Sequence, residues 1–282
     1  MRPVVRGLLL LSLLCVLRAG GAQERLLPLA DVRSGLHFAG ADVKALQADV
    51  QANPAQLWLA QGRSLWQAPA GPAQAACSGC HGELGRMQGV ATRFPRLHAA
   101  TGRLFNLEDQ IRHCTSERQG SPPPAFESNA LLALTAAITQ ASNGMPLRSG
   151  GDGGGNDATP NSTTNFTLNS SMSAALQQHL QAGATLFQRR QGQLNLACTH
   201  CHDRHWGRRL YTDVLSQGHP NGYPLYRLEW QTLGSLERRL RSCHVGIRAE
   251  PPPFGSLELR QLSLYLNWRA QGLAVEWPAV RK

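Results

Sequence analysis

Two pentapeptides carry most of the chemistry in this sequence: Cys77-Ser78-Gly79-Cys80-His81 and Cys198-Thr199-His200-Cys201-His202. Both read C-x-x-C-H, the attachment signature of c-type haem. Two thiols three residues apart on a helical turn can bond the two vinyl groups of one porphyrin, and the next residue presents an imidazole to its iron. Cysteine then holds the cofactor, and His81 or His202 holds the metal. Two such motifs imply two covalently bound haem c groups. The competing chemistries are a zinc site assembled from both cysteine pairs or a redox-active dithiol.

A six-coordinate iron needs a second axial donor, and methionine is the usual one in electron-carrying cytochromes c. No methionine follows the second motif, since Met172 precedes it. In the first half Met145 is available, and Met87 lies too close to its motif to reach round a porphyrin. Cys114 and Cys243 are left over after attachment, at equivalent positions of the repeat described next, and both are expected to be axial ligands. The alternatives are a Cys114–Cys243 disulfide, or His205, His219 or His244 on the second iron. A thiolate ligand favours ferric iron and lowers its potential. Iron or a nearby guanidinium also depresses the thiol pKa, making the sulfur available for reaction. Arg239 lies one helical turn before Cys243, where it either holds an anionic substrate against the sulfur or belongs to a solvated face with Arg238 and Arg241. Gln110 takes its place in the first half.

The elements that must position these residues occur twice. Gln61-Gly62-Arg63-Ser64-Leu65-Trp66-Gln67 aligns with Ala182-Gly183-Ala184-Thr185-Leu186-Phe187-Gln188 at the offset of 121 that superposes the two haem motifs. At an offset of 129, Leu107 to Cys114 aligns with Leu236 to Cys243, and Pro122-Pro123-Pro124 with Pro251-Pro252-Pro253. Phe126 and Phe254 then lead into apolar patterns at helical spacing, such as Leu257, Leu262, Leu264 and Leu266. The expected fold is all-α: two tandem cytochrome c-like domains related by internal duplication, over residues 23–147 and 174–282. Residues 148–173, rich in Gly, Asn, Ser and Thr, read as a flexible linker, and the Asn161 and Asn165 sequons within it as chance matches.

Residues 1–22 have the layout of a secretory signal: Arg2 and Arg6, the apolar run Gly7–Leu17, then small residues to Ala22. Cleavage there would leave six cysteines and lower the formal charge from +10 to +7. Six cysteines in an oxidising compartment also suit three disulfides, a reading that the spacing opposes. The apolar run is too short to span a bilayer, and no membrane span is expected later. A lipoprotein anchor at Cys15 is disfavoured by the bulk of Leu14. Periplasmic export and dispersed basic residues argue against nucleic acid as a partner.

From about Leu180 onward the chain resembles SoxA, the dihaem subunit of the SoxAX cytochrome of bacterial thiosulfate oxidation. The resemblance is carried by Cys198-x-x-Cys201-His202, Leu215-Ser216-Gln217-Gly218, Tyr223-Pro224-Leu225-Tyr226-Arg227-Leu228-x-Trp230-Gln231, Gly234-Ser235-Leu236, Arg239-x-x-x-Cys243 and Gly255-Ser256-x-Glu258. The first half agrees more loosely, and the 148–173 segment departs from the family pattern. The resemblance implies an L-cysteine S-thiosulfotransferase that oxidatively joins thiosulfate to a cysteine of the carrier protein SoxYZ. It implies a heterodimer with a SoxX-like monohaem cytochrome c subunit, and electrons passed to a cytochrome c acceptor. It makes Cys243 catalytic, as thiolate or persulfide, with Arg239 on the substrate; Arg209, Arg227 and Arg248 are further steering candidates. The first haem is absent from some relatives, and here rests on Cys77, Cys80 and His81. Two other readings stand beside it: a dihaem electron carrier without group transfer, and a tetrathionate-forming thiosulfate dehydrogenase of the TsdA kind.

Overall fold

The computed structural model describes residue 27, residues 29–148 and residues 172–282. The expected signal segment, the sequons and nearly all of the expected linker lie outside these residues. Nine α-helices order the described chain: α1 (Ala41–Ala48), α2 (Gln56–Gln67), α3 (Cys77–His81), α4 (Leu107–Gln119), α5 (Asn129–Gln140), α6 (Ala174–Gln188), α7 (Cys198–His202), α8 (Leu236–Gly246) and α9 (Leu257–Arg269).

Five of these helices start where a short polar side chain caps them. Asn106 and Asp109 form a reciprocal capping box on α4, and Ser235 accepts from the Arg238 amide on α8. Ser128, Ser173 and Ser256 cap α5, α6 and α9 in the same way. Each satisfies an amide that the first helical turn leaves without a partner.

Helix α2 packs on α5, and α6 on α9, with a glycine at each crossing. A Cβ on Gly62 would lie 2.0 Å from the Ala133 carbonyl oxygen, and one on Gly183 would lie 2.1 Å from that of Gln261. The helix backbones thus touch, and there is no flexible side chain to yield. Gly183→Ala should lower unfolding free energy by about 1–3 kcal/mol, read from denaturant melts.

The interior is mainly helical, as expected, but seven strands of two or three residues interrupt it. β1 (Arg96–Leu97) pairs with β2 (Leu104–Phe105), and β3 (Arg209–Leu210) with β4 (Asp213–Val214), both antiparallel. β5 (Leu225–Arg227) is flanked by β6 (Thr232–Gly234), antiparallel, and by β7 (Val280–Arg281), parallel. This little sheet draws the end of the chain into the first half. One apolar cluster joins Val43, Leu59, Leu132 and Ala136 to Tyr226, Leu233, Trp277 and Val280. Arg281 completes the tie by donating to Gln47 Oε1 at 2.6 Å.

Polar contacts also join the halves. Arg260 of α9 reaches Asp109 of α4 through two bonds of 2.6 Å, with both side chains buried. Asn106 donates to Glu237 at 3.1 Å, and Glu237 accepts from the Gly255 amide at 2.7 Å. Phe126 stacks on Phe254 at 6.3 Å between centroids. Arg112 and Arg241 lie over those two rings at 4.0 and 4.4 Å, so each proline turn meets the same kind of cation.

Candidate functional site

Each C-x-x-C-H motif is a one-turn helix, α3 or α7, entered from a tight turn. Bridges Ala70–Ala75 and Gln191–Leu196 close those turns, and Gln74 and Asn195 take positive φ in them. The turns aim the motifs at α4 and α8, which carry the leftover cysteines.

At the second motif the two expected ligands meet. His202 donates its Nδ1–H to the Ser216 carbonyl at 2.8 Å, so the lone pair of its other nitrogen is free for a metal. The sulfur of Cys243 lies beside the same imidazole, close enough for the ring to act on it. Gly218 makes this approach available: its φ is +76°, and a Cβ there would stand 3.0 Å from His202 Cγ.

The electrostatics single out Cys243. Burial pushes its thiol up, but the Arg239 guanidinium, the hydrogen bond and charge of His202, and Arg227 together bring it down to about 7. Arg239 is held charged chiefly by the Cys243 sulfur, against its own burial. The attachment thiols behave oppositely. Burial, reinforced by Cys243, raises Cys198 to about 12, and the same two causes raise Cys201. A redox-active dithiol has a lowered pKa, so the pair does not suit that chemistry. Nor does zinc fit, since among the described residues no three His, Cys, Asp or Glu side chains converge as a metal-binding group.

At the first motif Cys80, His81 and Cys114 line one cleft of about 430 Å³, with His98, Gln110, His113 and Arg118. Trp66 flanks His81 at 5.8 Å between ring centroids and donates its indole N–H to the Gly82 carbonyl. Burial raises the Cys77 thiol, with Cys114 adding to it. Gln110 donates to Cys114 Sγ at 3.4 Å. A neutral amide therefore faces this sulfur where a guanidinium faces the other. The donor sets, two thiols for thioether bonds and a histidine facing a cysteine, suit haem c at both motifs.

The alternatives fare less well. All six described cysteines are free of disulfides, and Cys114 and Cys243 belong to different sites. Both ring nitrogens of His244 are engaged, by the Leu240 carbonyl and by Gln191. His219 Nδ1 donates to the Arg33 carbonyl and His205 Nδ1 to that of His200, the same arrangement that holds His202, so these contacts do not decide between them. Of the steering candidates, Arg227 is buried, bears on Cys243 and pairs with Glu229 at 2.8 Å. Arg209 and Arg248 stand exposed on β3 and beyond α8. Sequence reasoning missed the Ser216 carbonyl behind His202, although the Leu215–Gly218 run was noticed. It also missed Tyr223, which stands within electrostatic range of Arg239, Arg227 and Cys243.

A family model described as the SoxA/TsdA cytochrome c domain matches residues 61–147. The L-cysteine S-thiosulfotransferase subunit SoxA of Pseudaminobacter salicylatoxidans is 34% identical over 281 residues, covering 99% of this chain and 91% of that protein. That of Rhodovulum sulfidophilum is 31% identical, over 89% and 80% of the two chains. The crystal structure of SoxXA from P. pantotrophus superposes with a TM-score of 0.78 at 29% identity, covering 89% of this chain and 87% of that one.

Proposed function

We propose that this chain, which belongs to the SoxA family of L-cysteine S-thiosulfotransferase subunits, joins thiosulfate oxidatively to a cysteine of a SoxYZ-type carrier protein. It does so as an exported, periplasmic subunit with one haem c in each of two duplicated cytochrome c-like domains. A SoxX-like monohaem cytochrome c subunit is its partner, and a cytochrome c takes the electrons.

The observation that carries this reading is the meeting of Cys243 with His202, with Arg239 one helical turn earlier on the same face of α8 and acting on the same sulfur. Haem c, if bound through Cys77 and Cys80 or Cys198 and Cys201, would be held at its iron by His81 and Cys114 or His202 and Cys243 and would accept electrons one at a time. The chain's own residues do the rest. Arg239 and Arg227 provide fixed positive charge for the dianionic substrate, in a setting where charge-assisted contacts are strong. Cys243, as thiolate or persulfide, would form a sulfur–sulfur bond with the outer sulfur of thiosulfate as two electrons leave one at a time for the cytochrome c acceptor; the carrier's cysteine, losing its thiol proton to solvent, would then take the thiosulfonate by exchange and return Cys243 to its starting state. Gln110 beside Cys114 is neutral where Arg239 beside Cys243 is charged, a difference that favours group transfer at the second site.

The test combines the purified heterodimer, thiosulfate, a SoxYZ-type carrier and ferricytochrome c, with mass spectrometry of the carrier. A thiosulfonate adduct on the carrier cysteine is the expected product; tetrathionate with an unmodified carrier would overturn the reading. Arg239→Met should raise the KM for thiosulfate by about 10- to 100-fold, the scale of one lost hydrogen bond to a charged group. Arg239→Lys should recover part of that loss, because it restores the charge without the fork.

A further inference from the structure

Residues 29–38 belong to the first half of the sequence but are bound to the second. They contain two short turns of 3₁₀ helix, Leu29–Asp31 and Gly35–Phe38, and between these turns the chain meets Gln217. The Arg33 amide donates to Gln217 Oε1 at 2.7 Å, and Gln217 Nε2 donates to the Asp31 carbonyl at 2.9 Å. Gln217 is 0% exposed. A buried amide needs partners at both ends, and here the backbone of this strap supplies both. His219 adds a third bond, from its Nδ1 to the Arg33 carbonyl at 2.8 Å. Phe38 meets Trp206 edge to face, with 6.1 Å between ring centroids.

The same four residues also serve His202. The Ser216 carbonyl accepts from His202 Nδ1 at 2.8 Å, and a Cβ on Gly218 would stand 3.0 Å from His202 Cγ. Ser216 and Gly218 thus touch the imidazole, while Gln217 and His219 touch the strap. The loop that runs from His202 to Ser216 is gripped near its start through Trp206 and just past its end through Gln217.

We propose that the 29–38 strap, acting through Gln217, is a positioning part of the sulfur site: it holds the Ser216 carbonyl on His202 and so fixes the imidazole that lies beside Cys243. The inference deepens the function proposed above and rests on the assignment there of His202 to an iron. An imidazole whose N–H is engaged is kept in one tautomer and one orientation, and it is a stronger donor to its metal. Gln217 acts on that ring only through Ser216 and its neighbours. Its loss should therefore alter the surroundings of the iron and leave the binding of thiosulfate in place.

Gln217→Leu removes both bonds at nearly constant volume, and frees the Arg33 amide and the Asp31 carbonyl to bind water instead. In the purified heterodimer, low-temperature electron paramagnetic resonance should show altered g values at one haem and wild-type values at the others. The reduction potential of the altered haem should rise, because a weaker donor stabilises ferric iron less. Conjugation should fall about 10- to 100-fold in kcat, with the KM for thiosulfate unchanged. Gln217→Glu keeps the acceptor for Arg33 and should fall between. Arg33→Pro deletes the amide on the opposite side of the joint and should shift the same signal, which carries the test should Gln217→Leu not fold. Gly183→Ala, which loosens α6 against α9 away from the strap, is the control for stability alone and should keep wild-type g values. Unchanged g values in both strap variants, or the same change in Gly183→Ala, would overturn the role of the strap. Conjugation that survives Cys243→Ala sinks the functional reading instead, and a shifted signal in Gln217→Leu would then still uphold the hold of the strap on His202.

Discussion

Cys243→Ala should lower the rate of conjugation by about a thousandfold or more, while the cofactors stay covalently attached. The substitution removes one sulfur and little else. Cys243 lies inside α8, where alanine is the best helix former, so the helix that carries Arg239 survives. On the proposed reading attachment depends on Cys77, Cys80, Cys198 and Cys201, none of which is touched. Reduced, denatured protein should therefore keep the absorbance of bound haem c. Low-temperature electron paramagnetic resonance should lose the narrow g spread of a thiolate-ligated low-spin iron at one site. Cys114→Ala is the informative contrast. It should change that spectrum too, yet retain most conjugation, because Gln110 gives Cys114 no positive charge. Equal losses in the two variants would remove the distinction between the sites.

Arg260→Met should destabilise the fold by about 3–5 kcal/mol, the usual consequence of removing one partner from a buried ion pair. Asp109 would be left 5% exposed, in a cluster with Glu108, Glu127 and Glu237. The guanidinium also touches the turn after the triple proline, where a Cβ on Gly255 would lie 3.3 Å from its Nη2. Methionine fills the volume without the charge, so what is measured is the unpaired carboxylate rather than a void. Thermal and denaturant unfolding of the purified protein would check it, with a fall in the midpoint of about 10 °C. The double variant Asp109→Asn, Arg260→Met should recover much of the loss, since it leaves no orphaned charge. A double variant no better than the single would mean that packing, and not the ion pair, holds the joint.

The helices and the donor atoms of the site were legible in the chain because their signals are local. Cysteine spacing and an apolar pattern at helical spacing each lie within a few residues. The i, i+4 placement of Arg239 and Cys243 was readable for the same reason, and α8 puts them on one face. What remained hidden is non-local. A strand such as β7, two residues long, has no periodicity to detect and exists only because Tyr226 and Val280 meet from distant parts of the chain. The Ser216 carbonyl behind His202 is a backbone atom, to which any residue type would contribute equally. The tie of Glu237 to Asn106 was invisible for a related reason: Glu237 looks like an ordinary first-turn acid until the two halves meet.

The cluster that joins Leu59, Leu132 and Ala136 to Tyr226, Trp277 and Val280 bears on how such a molecule can change over evolutionary time. Helices α2 and α5 bed the tail of the opposite half, whereas Cys80 and His81 sit at the rim with exposed surface. A lineage could shed the prosthetic group of its first half by altering a few rim positions, and the catalytic half would notice little. It could not shed the helices beneath without unseating the sheet through which the later half is anchored, so an emptied first half would persist as scaffolding.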